Sequence, residues 1–222
     1  MRFIIHEQPY EKVVAAGELR YERDGVATGA VEKWRLTTAV ANYHFLRIDL
    51  DARSAPSGQS TLYHLVLNEN GRPERLRFRQ WSGEHKITGN LLFEAGVIIA
   101  SHEMDGESSA EELAVTEDYG FWLPSSVGLS LLTRELVTTA VSLRPTRSKQ
   151  HSAFSLFQTE IRLNWDDDEE IMVMGRAHKS RPFIIQWADQ QYTLWLDDQN
   201  CVLKMTGGNR VTAVATRLIH YK

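Results

Sequence analysis

Along most of the chain, apolar and polar residues alternate one for one, the spacing that sends successive side chains to opposite faces of a β-strand. Leu46, Ile48 and Leu50 alternate with Arg47, Asp49 and Asp51, so one face of that strand meets a core and the other meets water or a ligand. Ser54-Ala55-Pro56-Ser57-Gly58 breaks the run, as clustered proline and glycine do. Tyr63, Leu65 and Leu67 then lead into Asn70-Gly71, with Leu76 and Phe78 beyond. Asn-Gly accepts the positive φ angles of a tight hairpin turn, which makes this the clearest local signal in the sequence.

Residues 86–94 and 97–104 flank Ala95-Gly96 as a second hairpin, and Val97-Ile98-Ile99, apolar on both faces, reads as interior. Leu113 and Val115 mark a shorter strand after the acidic turn Asp105-Gly106. In the C-terminal half the pattern recurs at Ile161, Leu163 and Trp165, then over 171–173, 183–187, 192–196, 202–205 and 211–219. The whole predicts about ten to thirteen strands.

One segment departs from this period. After Pro124, Ser125 is placed to cap a helix whose apolar positions Val127, Leu131, Leu132, Leu136 and Val137 recur at helical spacing. The spacing predicts a helix over residues 126–136, with Arg134 and Glu135 facing outward; Thr138, Thr139 and Val141 return the chain to strand chemistry. The predicted fold class is therefore mainly β: a strongly curved antiparallel β-roll or half-barrel around one central helix, in a single domain over 1–222. Residues 63–71 can be laid over 192–200 without a gap, and Arg75-Leu76 then falls on Lys204-Met205. This predicts either an internal duplication, with repeats over about 12–120 and 138–222 joined by the helix, or two hairpins alike by convergence.

Composition narrows the classes. A chain of 222 residues buries enough surface to need no metal or disulfide for its core. The single cysteine, Cys201, has no partner for an intramolecular bridge, and the N-terminus has only three apolar residues before His6 and Glu7, too few for a secretory leader. Both point to the cytoplasm. The longest apolar stretches, 95–100 and 129–132, fall far short of the roughly 20 residues of a membrane helix, so no transmembrane segment is expected. Lysine and arginine number 25 against 29 acidic residues, and the arginines are scattered, which argues against a nucleic-acid partner.

The common signatures of serine hydrolases, zinc proteases, phosphate-binding loops and dinucleotide folds are absent, and no cofactor is predicted. Cys201 has no histidine beside it in sequence and reads as a structural thiol. His6, His44, His64, His85, His102, His151, His178 and His220 stand singly, never at spacings that put two imidazoles on one face, so no metal site is expected. Asp166-Asp167-Asp168-Glu169-Glu170 offers the oxygen ligands calcium uses but lacks the glycine and asparagine punctuation of a calcium loop, and reads as a solvated turn. His102-Glu103-Met104-Asp105 is a similarly weak metal candidate. His44 and His64 lie in strands expected in one sheet, with Arg75 and Arg77 across the next hairpin; these four form the candidate acid/base or anion site.

The segment Trp122-Leu123-Pro124-Ser125-Ser126 entering a central helix, and the closing pattern Tyr192-x-Leu194-Trp195-Leu196-Asp197 followed by Val202-Leu203, resemble the bacterial spiral β-roll family of candidate glycolipid-binding proteins. The order of elements also resembles lipoprotein-carrier and related domains of unknown function, in which a strongly curved sheet wraps a helix. The resemblance implies a lipid or glycolipid partner, because a curved sheet leaves a concave side that a helix or an apolar guest must fill. Six tryptophans each offer an apolar body and one N–H, with core packing as their ordinary role; Trp122 completes the candidate ligand-binding set. Three classes follow. One is a binding domain for an apolar or glycolipid-like ligand. Another is an enzyme with a polar site at the roll mouth built from His44, His64, Arg75 and Arg77. The third is a structural protein forming a homodimer through its sheet.

Overall fold

The computed structural model describes residues 1–83, 85–134, 136–147 and 152–221, without the side chains of 145–147, 152, 153 and 209; Glu135 and His151 lie outside it. Two long strands, β1 (Lys12–Arg23) and β2 (Val26–Thr38), are joined at Asp24-Gly25, where both residues take positive φ (51° and 78°). That turn type matches the right-handed twist of the strands it connects. A meander follows: β3 (His44–Ala52), β4 (Gln59–Leu67), β5 (Pro73–Ser82), β6 (His85–Glu94), β7 (Val97–Met104) and β8 (Glu107–Ala114). β9 (Tyr119–Phe121) leads into the helix α1 (Ser126–Leu129) and a 3-10 turn (Ser130–Thr133). The chain continues as β10 (Thr139–Arg147), β11 (Ser152–Glu160), β12 (Arg162–Trp165) and β13 (Glu169–Val173). It closes with β14 (Arg176–Trp187), β15 (Gln190–Leu196), β16 (Val202–Gly207) and β17 (Val211–His220).

Among the described residues fourteen strands form one sheet in the order β12-β14-β15-β16-β17-β1-β2-β3-β4-β5-β6-β7-β8, with β13 paired to β14 off that path. β17 lies antiparallel to β1, Ala15 opposite His220, so the first and last strands pair inside the sheet. β9, β10 and β11 make a second sheet, in which β9 and β10 run parallel. Parallel neighbours require a crossover connection, and that connection carries the helical segment.

Period-two alternation then assembles the core. Leu46 and Ile48 from β3, Tyr63, Leu65 and Leu67 from β4, Leu76 and Phe78 from β5, and Leu194 and Leu196 from β15 are all buried. They join Val127, Leu129 and Leu132 of the helical segment and Phe121, Val141, Leu143 and Phe154 of the small sheet in one continuous cluster. The described residues are mainly antiparallel β, as the pattern predicts, with one short α-helix.

Several expectations are corrected. The helix spans one turn, because after the predicted Ser125 cap (Gly128 N donates to its Oγ, 2.9 Å) two hydroxyls bond back to the turn before them. Ser130 donates to the Val127 carbonyl (2.8 Å) and Thr133 to that of Ser130 (2.7 Å), and the backbone tightens to 3-10 geometry. Leu136, expected on the apolar stripe, is 76% exposed, whereas Val127, Leu131, Leu132 and Val137 are buried. The described residues contain seventeen strands, more than predicted. β1 and β2 escaped the pattern because their core-facing positions include Gly17 and Glu32 as well as Ala15 and Trp34. The Asn70-Gly71 turn is a five-residue loop in which only Gly71 takes positive φ, since Asn68 Oδ1 accepts from the amides of Asn70 (3.0 Å) and Arg72 (3.1 Å). β8 equals β7 in length at eight residues.

The outer face of β3, expected to meet water or a ligand, is instead covered by residues 1–11. Arg2 pairs with Asp49 (2.5 Å), and Arg47 forms a two-pronged pair with Glu11 (2.8 Å on each oxygen) while donating to the Ile5 carbonyl (3.1 Å). Burial pushes the Glu11 carboxyl upward, but Arg47, Thr37 and the Gln8 amide together hold it below its ordinary value.

Candidate functional site

Between the large sheet, the helix and the small sheet lies a cavity of about 400 Å³. Trp122 reaches it from the strand β9 side, held to β10 by its N–H to the Val141 carbonyl (3.2 Å) and by Ser142 Oγ donating to its own carbonyl (2.8 Å). Leu129 contributes from the helix, Leu143 and Phe157 from the small sheet, and Leu50, Trp187, Tyr192 and Met205 from the large sheet. The aromatic walls brace one another. Trp187 stacks on Tyr192 (4.8 Å, 9°), and Trp122 packs against Trp187 (5.2 Å) and edge-on to Phe157 (5.4 Å). Tyr192 lies flat across β16 because Gly207 has no side chain: a Cβ there would sit 2.1 Å from the ring.

Polar atoms line one end of the cavity, and the protein itself uses them. Glu32, fully buried on β2, accepts from Tyr21 Oη and from the amides of Ser126 and Val127 (both 3.0 Å). Tyr21 Oη also meets Ser126 Oγ at 2.7 Å. Burial raises the Glu32 carboxyl against the opposing pull of these donors, and burial followed by the Glu32 charge raises the Tyr21 phenol. The cluster ties β2 to the start of the helix and so fixes the cavity floor. At the rim, the exposed Arg144 guanidinium lies 4.4 Å over the Phe157 ring, near Gln190.

The candidate residues named from sequence are dispersed among three places, and only Trp122 lines this cavity. His44 shares the parity of Leu46 and Ile48, so it faces inward at the end of β3, beside a second cavity of about 500 Å³ that also holds Arg134 and Cys201. Burial first, then Arg134, holds the His44 imidazole below its ordinary value. His64 has the opposite parity to Tyr63 and Leu65 and lies on the outer face, opposite Arg47 and Arg77 in the sheet register and stacked on Phe45 (5.9 Å, 5°). Burial, reinforced by Arg47, lowers its pKa to about 4. Arg75 and Arg77, with Arg79, line an outer groove of about 730 Å³ over β5 to β7. His44 and His64 thus occupy opposite faces of one sheet and form no joint acid/base pair.

Sequence reasoning missed Glu32, Tyr21 and the aromatic partners of Trp122. Glu32 carried a legible sign, a carboxylate on the same parity as the buried Ala30 and Trp34. Phe157, Trp187 and Tyr192 carried none, because three separate strands converge on the cavity only in the folded chain.

Comparison with known proteins gives a fold likeness. A beta-barrel-like protein of the domain of unknown function DUF1849 from Brucella abortus superposes with a TM-score of 0.56 at 10% identity, over 95% of this chain and 98% of that one. A candidate lipoprotein from Parabacteroides distasonis gives 0.34 at 6% identity, over 94% and 96%. No family model matches the chain, and no curated protein does. Among the described residues no helix is long and apolar enough to cross a membrane.

Proposed function

We propose that the protein is a binding domain whose 400 Å³ cavity takes an apolar chain, with the polar head of a lipid or glycolipid-like molecule at Arg144 and Gln190. One observation carries the reading. The walls are aromatic and aliphatic, while the hydroxyls of Tyr21, Ser125, Ser126 and Ser142 are already engaged within the protein. Such a wall offers contact area and no unmet hydrogen bonds, which favours an apolar guest; the volume falls within the range of about 300–1,000 Å³ of small-molecule sites. In this reading the large sheet curls around the helix as a roll in a single domain, and the lone cysteine belongs to a reducing compartment.

An enzyme built from His44, His64, Arg75 and Arg77 is disfavoured because His44 faces inward while the other three lie on the outer face. An edge-to-edge dimer through β8 is disfavoured because this end strand carries the exposed Glu107 and Glu112, while its Glu111 accepts from the Leu156 amide of β11. Fluorescent fatty-acid probes should bind saturably, be displaced by unlabelled lipid and raise the melting temperature with concentration. Trp122→Ala should weaken that binding while leaving a cooperative melt. No saturable uptake across several lipid classes, with an unshifted melt, overturns the proposal.

A further inference from the structure

The hairpins β4–β5 and β15–β16 build the same five-residue loop from different residues. In the first, Asn68 Oδ1 accepts from the amides two and four residues on, Gly71 N donates to the Asn68 carbonyl (2.8 Å), and Asn68 N donates to the Arg72 carbonyl (2.9 Å). In the second, Asp197 Oδ1 accepts from Gln199 N (3.0 Å) and Cys201 N (2.8 Å), Asn200 N donates to the Asp197 carbonyl, and Asp197 N to the Cys201 carbonyl (both 3.0 Å). Both carry a register shift just before the loop, and both place a left-handed residue fourth, Gly71 at φ 76° and Asn200 at φ 59°. An amide at the first position and an arginine at the fifth therefore suffice for this turn. It demands neither the carboxylate of Asp197 nor the thiol of Cys201.

Those two groups meet a third. Asp197 Oδ2 lies 2.8 Å from His220 Nε2, and the Asp197 carboxylate, Cys201 sulfur and His220 imidazole present ligand atoms all within 4.8 Å of one another. The site is sheltered, with the Asp197 side chain 10% exposed. His220 Nδ1 is buried and has no hydrogen-bond partner. We infer that Asp197, Cys201 and His220 form a binding site for a divalent transition-metal ion of the zinc class.

The donor set selects the metal. Thiol sulfur with imidazole nitrogen and one carboxylate suits zinc or cobalt, whereas calcium and magnesium take oxygen cages. Ligands about 2.0–2.3 Å from a tetrahedral ion sit roughly 3.5 Å apart, so side-chain rotation of about 1 Å closes the present spacing. Binding exchanges one proton for the metal: the Cys201 S–H bond breaks, the proton leaves to solvent and the sulfur bonds the ion. A cation beside the sulfur favours the thiolate form that binds it. Three protein ligands leave a fourth position for water or a small ligand, and Cys201 borders the cavity shared with the first hairpin loop.

The test uses the full chain, stripped with a chelator and titrated with cobalt(II) alone. One equivalent should produce the near-ultraviolet thiolate-to-cobalt charge-transfer band with tetrahedral visible absorption, and zinc should displace both. Cys201→Ser should abolish the charge-transfer band and His220→Gln should weaken affinity beyond the 10- to 100-fold, roughly, of an outer-shell partner. Asn68→Asp, at the matching position of the other loop, should change neither. Circular dichroism establishes that each variant is folded, and the wild-type spectrum stands independently of them. Cobalt binding without a thiolate band, an unchanged band in folded Cys201→Ser, or no binding at all overturns the assignment.

Discussion

On the inner face of β3 and β4, Leu46, Ile48, Tyr63, Leu65 and Leu67 bury an apolar surface; on the outer face of the same strands, beside the buried Leu62, the polar Arg47, Asp49, Ser60 and His64 are 2, 4, 1 and 5% exposed. The inner residues need only neighbours of the right size. Each charged outer residue needs a specific partner, and residues 1–11 supply it: Arg2 for Asp49 and Ser60, Glu11 and the Ile5 carbonyl for Arg47. Two strands with near-identical burial on both faces are thus stabilised in different ways, and the 400 Å³ cavity lies on the inner side. The outer polar layer orders the N-terminal segment, and the inner layer shapes the cavity.

The contrast is broken most severely from outside. Glu11→Ala leaves the Arg47 guanidinium buried without its counter-ion and should cost about 3–5 kcal/mol, read as a lower urea midpoint. Replacing both partners with apolar residues of similar volume should recover much of that loss, because desolvation of the pair is then avoided. From inside, Leu132→Ala removes a side chain 2% exposed under the sheet and should cost about 2–5 kcal/mol through lost burial and a residual cavity. A change near zero in the same melt would place the helical segment outside the core.

Acid sharpens the comparison through His64 on the outer face. His64 titrates at about 4 in the folded protein against 6.5 when unfolded, so the unfolded chain binds the extra proton first. Stability should fall as pH drops from about 6.5 to about 4, by up to about 3 kcal/mol from this group, and stay level with respect to it below that. His64→Asn should flatten that part of the profile. An equal slope in the variant would assign the acid sensitivity elsewhere.

Much of the fold was legible because alternation is a local property. β3 to β7 and β14 to β17 show it plainly, and the Asp105-Gly106 turn marks its hairpin, with both residues at positive φ. β1 and β2 were obscured where glycine and glutamate take core positions, and the helix was overdrawn because hydroxyl back-bonding at Ser130 and Thr133 leaves no trace in hydrophobic spacing. The candidate site was less legible. Alternation already separates His44, in phase with Leu46, from His64, out of phase with Leu65, so their pairing contradicts the rule that located the strands. The walls around Trp122 and the approach of His220 to Cys201 join residues from distant strands, and no spacing along the chain encodes them.

The central claim is that an apolar guest occupies the inner cavity, and tryptophan quenching by fatty acids brominated on the acyl chain tests it most directly. Trp122 and Trp187 line that cavity, whereas Trp81 lies on the outer side beside Arg2 and Arg79. Saturable quenching in the wild type that is lost in the Trp122→Phe/Trp187→Phe double variant, and retained in Trp81→Phe, is the predicted result. Quenching that never saturates, or that survives the double variant and disappears with Trp81, would place the lipid on the outer surface and contradict the account.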